Sequence, residues 1–263
     1  MGVLLETVDA NGVATLTLNR PERHNAFDEV MVRELGDAYA ALDFRGDVRV
    51  VVLVSTGRSF CARGDVGWMQ RAAAFSEAEN LADAGKLSNL LRKIDRMSKP
   101  TLALVQGPAD GGGVGLAACC DIAIATERAT FRLSEVRLGL TLATILPYVV
   151  GAIGARQARQ SFQTAEPFFT AEARRLGLVH EVTGPDGLAE ARGRIVAELL
   201  TGGPAAQAAS KALVRLAQGG PIDEAMIAET SRRIAVRRTT LEAREGLAAF
   251  LEKRLPAWQD APS

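Results

Sequence analysis

A strand that runs into three consecutive glycines constrains this chain more than any other feature. Thr101-Leu102-Ala103-Leu104-Val105 is an unbroken apolar run, the pattern of a strand covered on both faces. Gly111-Gly112-Gly113 follows, then a short apolar helix, then a second strand at Asp121-Ile122-Ala123-Ile124-Ala125. Adjacent glycines at a strand-to-helix junction let backbone N–H groups approach a ligand with no Cβ in the way. The first N–H groups of a helix have no internal partner and favour negative charge. That builds half of an oxyanion hole. Glu135, at the end of Phe131-Arg132-Leu133-Ser134-Glu135, is a carboxylate for acid–base chemistry beside it.

The rest of the chain sets this junction in an α/β context. Val3 to Asp9 and Gly12 to Leu18 read as a hairpin around Asn11-Gly12, a strong turn signal. A polar loop, Arg20 to Asn25, precedes a helix that runs to about Asp43, with Val30, Leu35, Ala38 and Leu42 at helical spacing. Val50-Val51-Val52-Leu53-Val54 is a second strand covered on both faces. A loop spans Ser55 to Gly67, and a long helix from about Ser76 to Met97 stops before Pro100. Strand–helix alternation to about Val182 predicts parallel strands. From Leu188 onward everything reads as helical, with breaks at Gly202-Gly203-Pro204 and Gly219-Gly220-Pro221. The expected division is a core of residues 1–187 and a helical region of residues 188–263. The tail either caps the core or serves oligomerisation and ligand covering.

Composition excludes several function classes. Lys+Arg and Asp+Glu both number 31 in 263 residues, a formal net charge of zero, which gives no basic surplus for nucleic acid. No apolar run reaches the roughly 18 residues of a membrane helix, and the start of the chain lacks the basic and apolar regions of a signal peptide. Cys61, Cys119 and Cys120 fit neither a disulfide framework nor a zinc site, so a cytoplasmic setting is expected. Gly113-Val114-Gly115-Leu116-Ala117-Ala118 formally fits a dinucleotide fingerprint. The glycines lie too close to the Asp121 strand, because a parallel crossover needs about ten to twelve residues.

Several separated motifs, in order, resemble the crotonase (enoyl-CoA hydratase/isomerase) superfamily. They are Leu18 to Phe27, Phe60-Cys61-Ala62-Arg63-Gly64-Asp65, Gly107 to Gly113, and Leu133-Ser134-Glu135. Within it, Gly67-Trp68-Met69, Glu79 to Ala84, Leu133 to Leu140 and the tail Phe250 to Gln259 are most similar to bacterial methylglutaconyl-CoA and isohexenylglutaconyl-CoA hydratases. The resemblance implies a ββα spiral core and a C-terminal helical trimerisation region. It implies a homo-oligomer, a trimer or dimer of trimers. It implies an acyl-CoA thioester as substrate, with no metal and no separate cofactor beyond coenzyme A as part of that substrate.

The resemblance also assigns roles. The N–H groups of Gly64 and Gly112 would hold the thioester oxygen, and Glu135 would exchange protons with water. Asn25, Ala26, Ala62 and Asp65 would contact CoA, and Phe250 and Lys253 would cover it from a neighbouring subunit. The implied reaction is reversible addition of water across the 2,3 double bond, for which 3-methylglutaconyl-CoA is the suggested substrate. The runner-up reactions are isomerisation or decarboxylation through the same enolate, and a weakly catalytic acyl-CoA-binding paralogue is the other alternative.

Many relatives carry a first glutamate where this chain has Gly115, a glycine that the hydratases named above share, which leaves Glu135 as the best single acid–base candidate. Four departures from the family pattern cluster around this site. Arg63 stands where glycine is usual and Asp110 where an apolar residue is usual. Asp110 reads as a replacement acid–base group, a repulsive element beside the enolate, or a loop cap. Leu138 to Thr144 lacks a proline of the related hydratases, and Gln160-Ser161-Phe162-Gln163 replaces a more aromatic pattern.

Overall fold

The computed structural model describes residues 2–62 and 65–259. β1 (Leu4–Val8) and β2 (Val13–Leu18) form the expected antiparallel hairpin, in the register Leu4 with Leu18 and Val8 with Ala14. A 3-10 turn at Pro21–Arg23 leads to α1 (Glu29–Phe44), capped by the Asp28 carboxylate accepting from the Met31 N–H at 2.8 Å. Then come β3 (Val50–Ser55), α2 (Val66–Ala72) and α3 (Glu77–Arg96). Ser76 and Glu79 close α3 with a reciprocal capping box. β4 (Thr101–Val105) and the two-residue β5 (Ala109–Asp110) feed α4 (Gly112–Cys119). β6 (Ile122–Thr126) and β7 (Thr130–Arg132) precede a 3-10 turn at Glu135–Leu138. α5 (Leu146–Thr164), β8 (Phe168–Phe169), α6 (Thr170–Leu176) and β9 (Glu181–Thr183) complete the mixed part. Helices follow: α7 (Leu188–Thr201), α8 (Pro204–Ala217), α9 (Glu224–Arg238) and α10 (Leu241–Glu252). They break at the two Gly-Gly-Pro sequences.

The main sheet has the order β1-β2-β3-β4-β6-β9, and every pair after the hairpin is parallel. Its two faces explain the continuous apolar runs. On one face Val51, Leu53, Ala103 and Val105 join the large core with residues of α1, α3, α4 and α5. On the other, Val50, Val52, Leu102 and Leu104 pack with Ala191 and Val196 of α7. A strand buried on both sides needs apolar residues at every position.

A second sheet, β5-β7-β8, sits at the end of the first, with β5 and β7 parallel and β7 and β8 antiparallel. Its strands have two or three residues each. Phe131 and Phe168 stack across it with ring centroids 5.6 Å apart. A long-range tie joins the start of β3, in the main sheet, to the C-terminal region. The Arg49 guanidinium donates to the carbonyls of Trp258 (2.9 Å) and Gly202 (2.8 Å). The α/β fold with a helical C-terminal region matches the architecture expected from the sequence. Among the described residues no helix is long and apolar enough to cross a membrane.

Candidate active site

The second sheet gathers the site. Cys61 bridges to Ala109, Ala109 pairs with Phe131, and Phe131 pairs with Phe168. The Asp110 N–H donates to the Cys61 carbonyl (3.0 Å) and the Gly111 N–H to the Arg132 carbonyl (2.8 Å). The loop ending at Ala62, the glycine-led helix α4 and the turn that carries Glu135 are therefore stitched side by side by backbone bonds.

Each glycine of the run answers to a different neighbour. Gly111 adopts φ +51° and ψ −112°, and a Cβ there would lie 2.0 Å from Glu135 Oε1. On Gly112 a Cβ would enter the Phe27 ring at 2.5 Å, and on Gly113 it would meet the Cys61 carbonyl oxygen at 2.1 Å. The main chain is pressed from three sides, and only glycine leaves room. Gly112 is the first residue of α4, so its N–H has no acceptor within the helix.

Gly115 lies one turn further along α4, buried. A Cβ there would stand 2.4 Å from Cγ2 of the fully buried Ile145. The space of a larger side chain is already filled.

Glu135 is half-buried at the start of its turn. Its Oε2 is buried and, among the described residues, has no hydrogen-bond partner. Burial raises its pKa above the ordinary glutamate value, and the Asp110 charge adds to the rise. The backbone N–H groups of Glu135 and Ser134, and the Arg132 cation, pull it down. Arg137 turns away and donates to the Thr164 carbonyl at 3.4 Å, so it is not an ion partner of Glu135. Asp110 pairs with Arg132 at 3.2 Å across β5 and β7.

The polar residues of the first loop serve mainly to hold the loops together. Asn25, at φ +55° and fully buried, accepts from the Arg20 N–H (2.8 Å) and donates to the carbonyls of Thr56 (2.9 Å) and Ser59 (3.0 Å). The Ala62 N–H donates to the His24 carbonyl (3.0 Å) and the Ala26 N–H to that of Arg23 (3.1 Å). Asp65 is buried and caps α2 through the Trp68 N–H (2.9 Å). Its other oxygen takes Arg20 and Arg23, each at 3.1 Å. Arg20 also pairs with Asp28 at 2.7 Å. Burial disfavours the Asp65 charge, but the Trp68 N–H, Arg23 and Arg20 outweigh it and hold its pKa below the usual aspartate value.

Phe250 and Lys253 stand elsewhere. Phe250 is 80% exposed on α10, and Lys253 caps that helix at φ +54°. α10 packs against α8 and α9. Gly64 and Arg63 lie outside the described residues. The three cysteines are free and buried. Burial, with Asp110 adding to it, pushes the Cys61 thiol up to about 12, so it stays a neutral packing group beside the site. Among the described residues no cluster of His, Cys, Asp and Glu is arranged to hold a metal.

Three features were beyond the sequence reading: Phe27 over Gly112, Ile145 over Gly115, and the contact of Gly111 with Glu135. Phe27 lies inside one of the motifs quoted for the resemblance, so it carried a signal. Ile145 carried none.

Residues 9–261 match the family model described as enoyl-CoA hydratase/isomerase. A crotonyl-CoA hydratase from Syntrophomonas wolfei is 35% identical over 247 residues, covering 92% of each chain. An (E)-benzylidenesuccinyl-CoA hydratase from Thauera aromatica is 32% identical over 266 residues, covering 99% of this chain and 100% of that one. Among solved structures, an enoyl-CoA hydratase from Shewanella pealeana superposes with a TM-score of 0.95 at 42% identity, covering 97% of this chain and 96% of that one.

Proposed function

The chain belongs to the enoyl-CoA hydratase/isomerase family, and from that premise we propose that it is a hydro-lyase adding water reversibly across the 2,3 double bond of an acyl-CoA thioester. The observation that carries this reading is the buried Oε2 of Glu135, which has no hydrogen-bond partner among the described residues, beside the helix N-terminus at Gly112. An orphaned buried acceptor is costly unless a donor arrives, and a water molecule or substrate is that donor.

In the forward direction Glu135 takes a proton from water as the oxygen bonds to C3. The thioester becomes an enolate, whose oxygen is held by the Gly112 N–H and, by family likeness, that of Gly64. Glu135 then returns its proton to C2. The hydroxyl and the proton arrive on the same face, and the carboxylate ends as it began. Its raised pKa makes it a better acceptor for the first step.

The CoA portion is assigned to the first loop and the following one, through Asn25, Ala26, Ala62 and Asp65. In a homo-oligomer, a trimer or dimer of trimers, Phe250 and Lys253 of a neighbouring copy would cover it. Large apolar side chains left exposed on the C-terminal helices, Leu241 (82%), Phe250 (80%) and Leu251 (77%), support such an assembly. The suggested acyl group is 3-methylglutaconyl, and the three free buried cysteines suit a reducing, cytoplasmic setting.

The test is hydration of crotonyl-CoA and 3-methylglutaconyl-CoA, followed by loss of enoyl-thioester absorbance, for wild type and Glu135→Gln. Turnover that collapses in the variant is expected. Acyl-CoA binding without turnover in wild type overturns the hydro-lyase reading.

A further inference from the structure

Asp110 occupies a position whose neighbours make its charge consequential. It immediately precedes Gly111, and the space above Gly111 is filled by the Glu135 carboxylate. Its side chain is 14% exposed and paired with Arg132, its register partner on β7. Arg132 lies three residues before Glu135, so one ion pair joins the strand that leads to Gly112 with the strand that leads to Glu135. That pair is unsymmetrical. The Arg132 side chain is 38% exposed, and its charge is better screened than that of Asp110.

We propose that Asp110, held by Arg132, is a positioning residue that acts through Glu135, its negative charge making that carboxylate a stronger proton acceptor. A negative charge close to a poorly solvated carboxylate disfavours its ionised form and so strengthens its hold on a proton. Among the described residues the charges that bear on Glu135 are Asp110 on β5, which strengthens its hold on a proton, and Arg132 on β7, which weakens it, and Asp110 is the more buried of the two. α4 carries no charged residue, Arg137 is directed to the Thr164 carbonyl, and the Cys61 thiol stays neutral. The inference rests on the hydro-lyase reading for its catalytic meaning, but not for its electrostatics.

The experiment is titration of the Glu135 carboxyl carbon by 13C NMR in wild type, Asp110→Asn and Arg132→Gln, with Glu135→Gln assigning the resonance. The expected midpoint falls in Asp110→Asn, by about half a unit or more, a threefold change in the proton equilibrium. It rises in Arg132→Gln, which leaves Asp110 uncompensated. Opposite signs separate an electrostatic role from a purely mechanical clasp, whose loss moves both variants the same way. The acidic limb of the kcat/KM profile should follow these midpoints, with KM little changed. Unmoved midpoints, or shifts of one sign, overturn the proposal. Opposite shifts in a protein that hydrates no enoyl thioester uphold it and sink the hydro-lyase reading instead. Should Asp110→Asn fail to fold, Arg132→Gln alone decides, since a fall or no change contradicts the proposal.

Discussion

Glu135 Oε1 occupies the place that a β-carbon on Gly111 would need, 2.0 Å from its ideal position. The base and the backbone that leads to the oxyanion donor are thus in van der Waals register. Gly111→Ala must either push the carboxylate aside or abandon φ +51°, a conformation that costs a side-chain-bearing residue about 1–3 kcal/mol. We expect a folded protein with turnover reduced about 100-fold, the scale of an ångström of misplacement. Hydration kinetics beside a thermal melt check it. Full activity in Gly111→Ala would mean that Glu135 need not sit there.

Glu135→Gln should lose activity by roughly 100- to 10,000-fold, the usual contribution of a general acid–base group, and gain stability at the same time. The native state raises the carboxyl pKa, so it holds the proton more tightly than the unfolded chain. Ionised Glu135 therefore lowers stability as pH climbs from the ordinary glutamate value through the raised one. Glutamine removes that cost. The variant should melt above wild type near about pH 8 and show no such advantage near about pH 4. Equal melting temperatures at the higher pH would contradict the desolvated environment.

Asp65 predicts the opposite pH behaviour. Its pKa is held low, so its contribution is present above the ordinary aspartate value and is lost as pH falls through the native one. Asp65→Asn removes the buried partner of Arg20 and weakens the cap of α2. Because Arg20 keeps Asp28 at 2.7 Å, the loss should lie near the low end for a broken buried pair, about 3 kcal/mol. Urea denaturation at neutral pH measures it, and the acid-unfolding limb of the variant should be shallower.

Gly115→Ala should destabilise by about 1–3 kcal/mol through overpacking against Ile145. Ile145→Ala removes the nearest atom, Cγ2, and should recover part of that loss. The double variant is then more stable than the sum of the singles predicts. Strict additivity would show that α4 shifts instead.

Much of this was written in local pattern. The runs at Val50 and Thr101 announced strands covered on both faces, and the glycines after Pro108 announced a close approach of backbone. The second sheet was not legible, because strands of two or three residues carry no periodicity. Nor was the pairing of Asp110 with Arg132, residues far apart in sequence that meet only through that sheet. Asp110 was visible as an oddity; what it faces had to come from the fold. Asn25 and Asp65 show the converse limit. A likeness in sequence marks both as part of a binding loop, whereas their side-chain bonds join one loop to the other.

Arg49 carries a consequence for synthesis. It stands just before β3, yet its guanidinium donates to carbonyls at Gly202 and Trp258. While the chain is still emerging from the ribosome, the centre of the main sheet has a cation whose acceptors do not yet exist. The sheet can pair early, but this corner must stay wet until residue 258 has been delivered. A chain that stops short of residue 258 would leave this corner open.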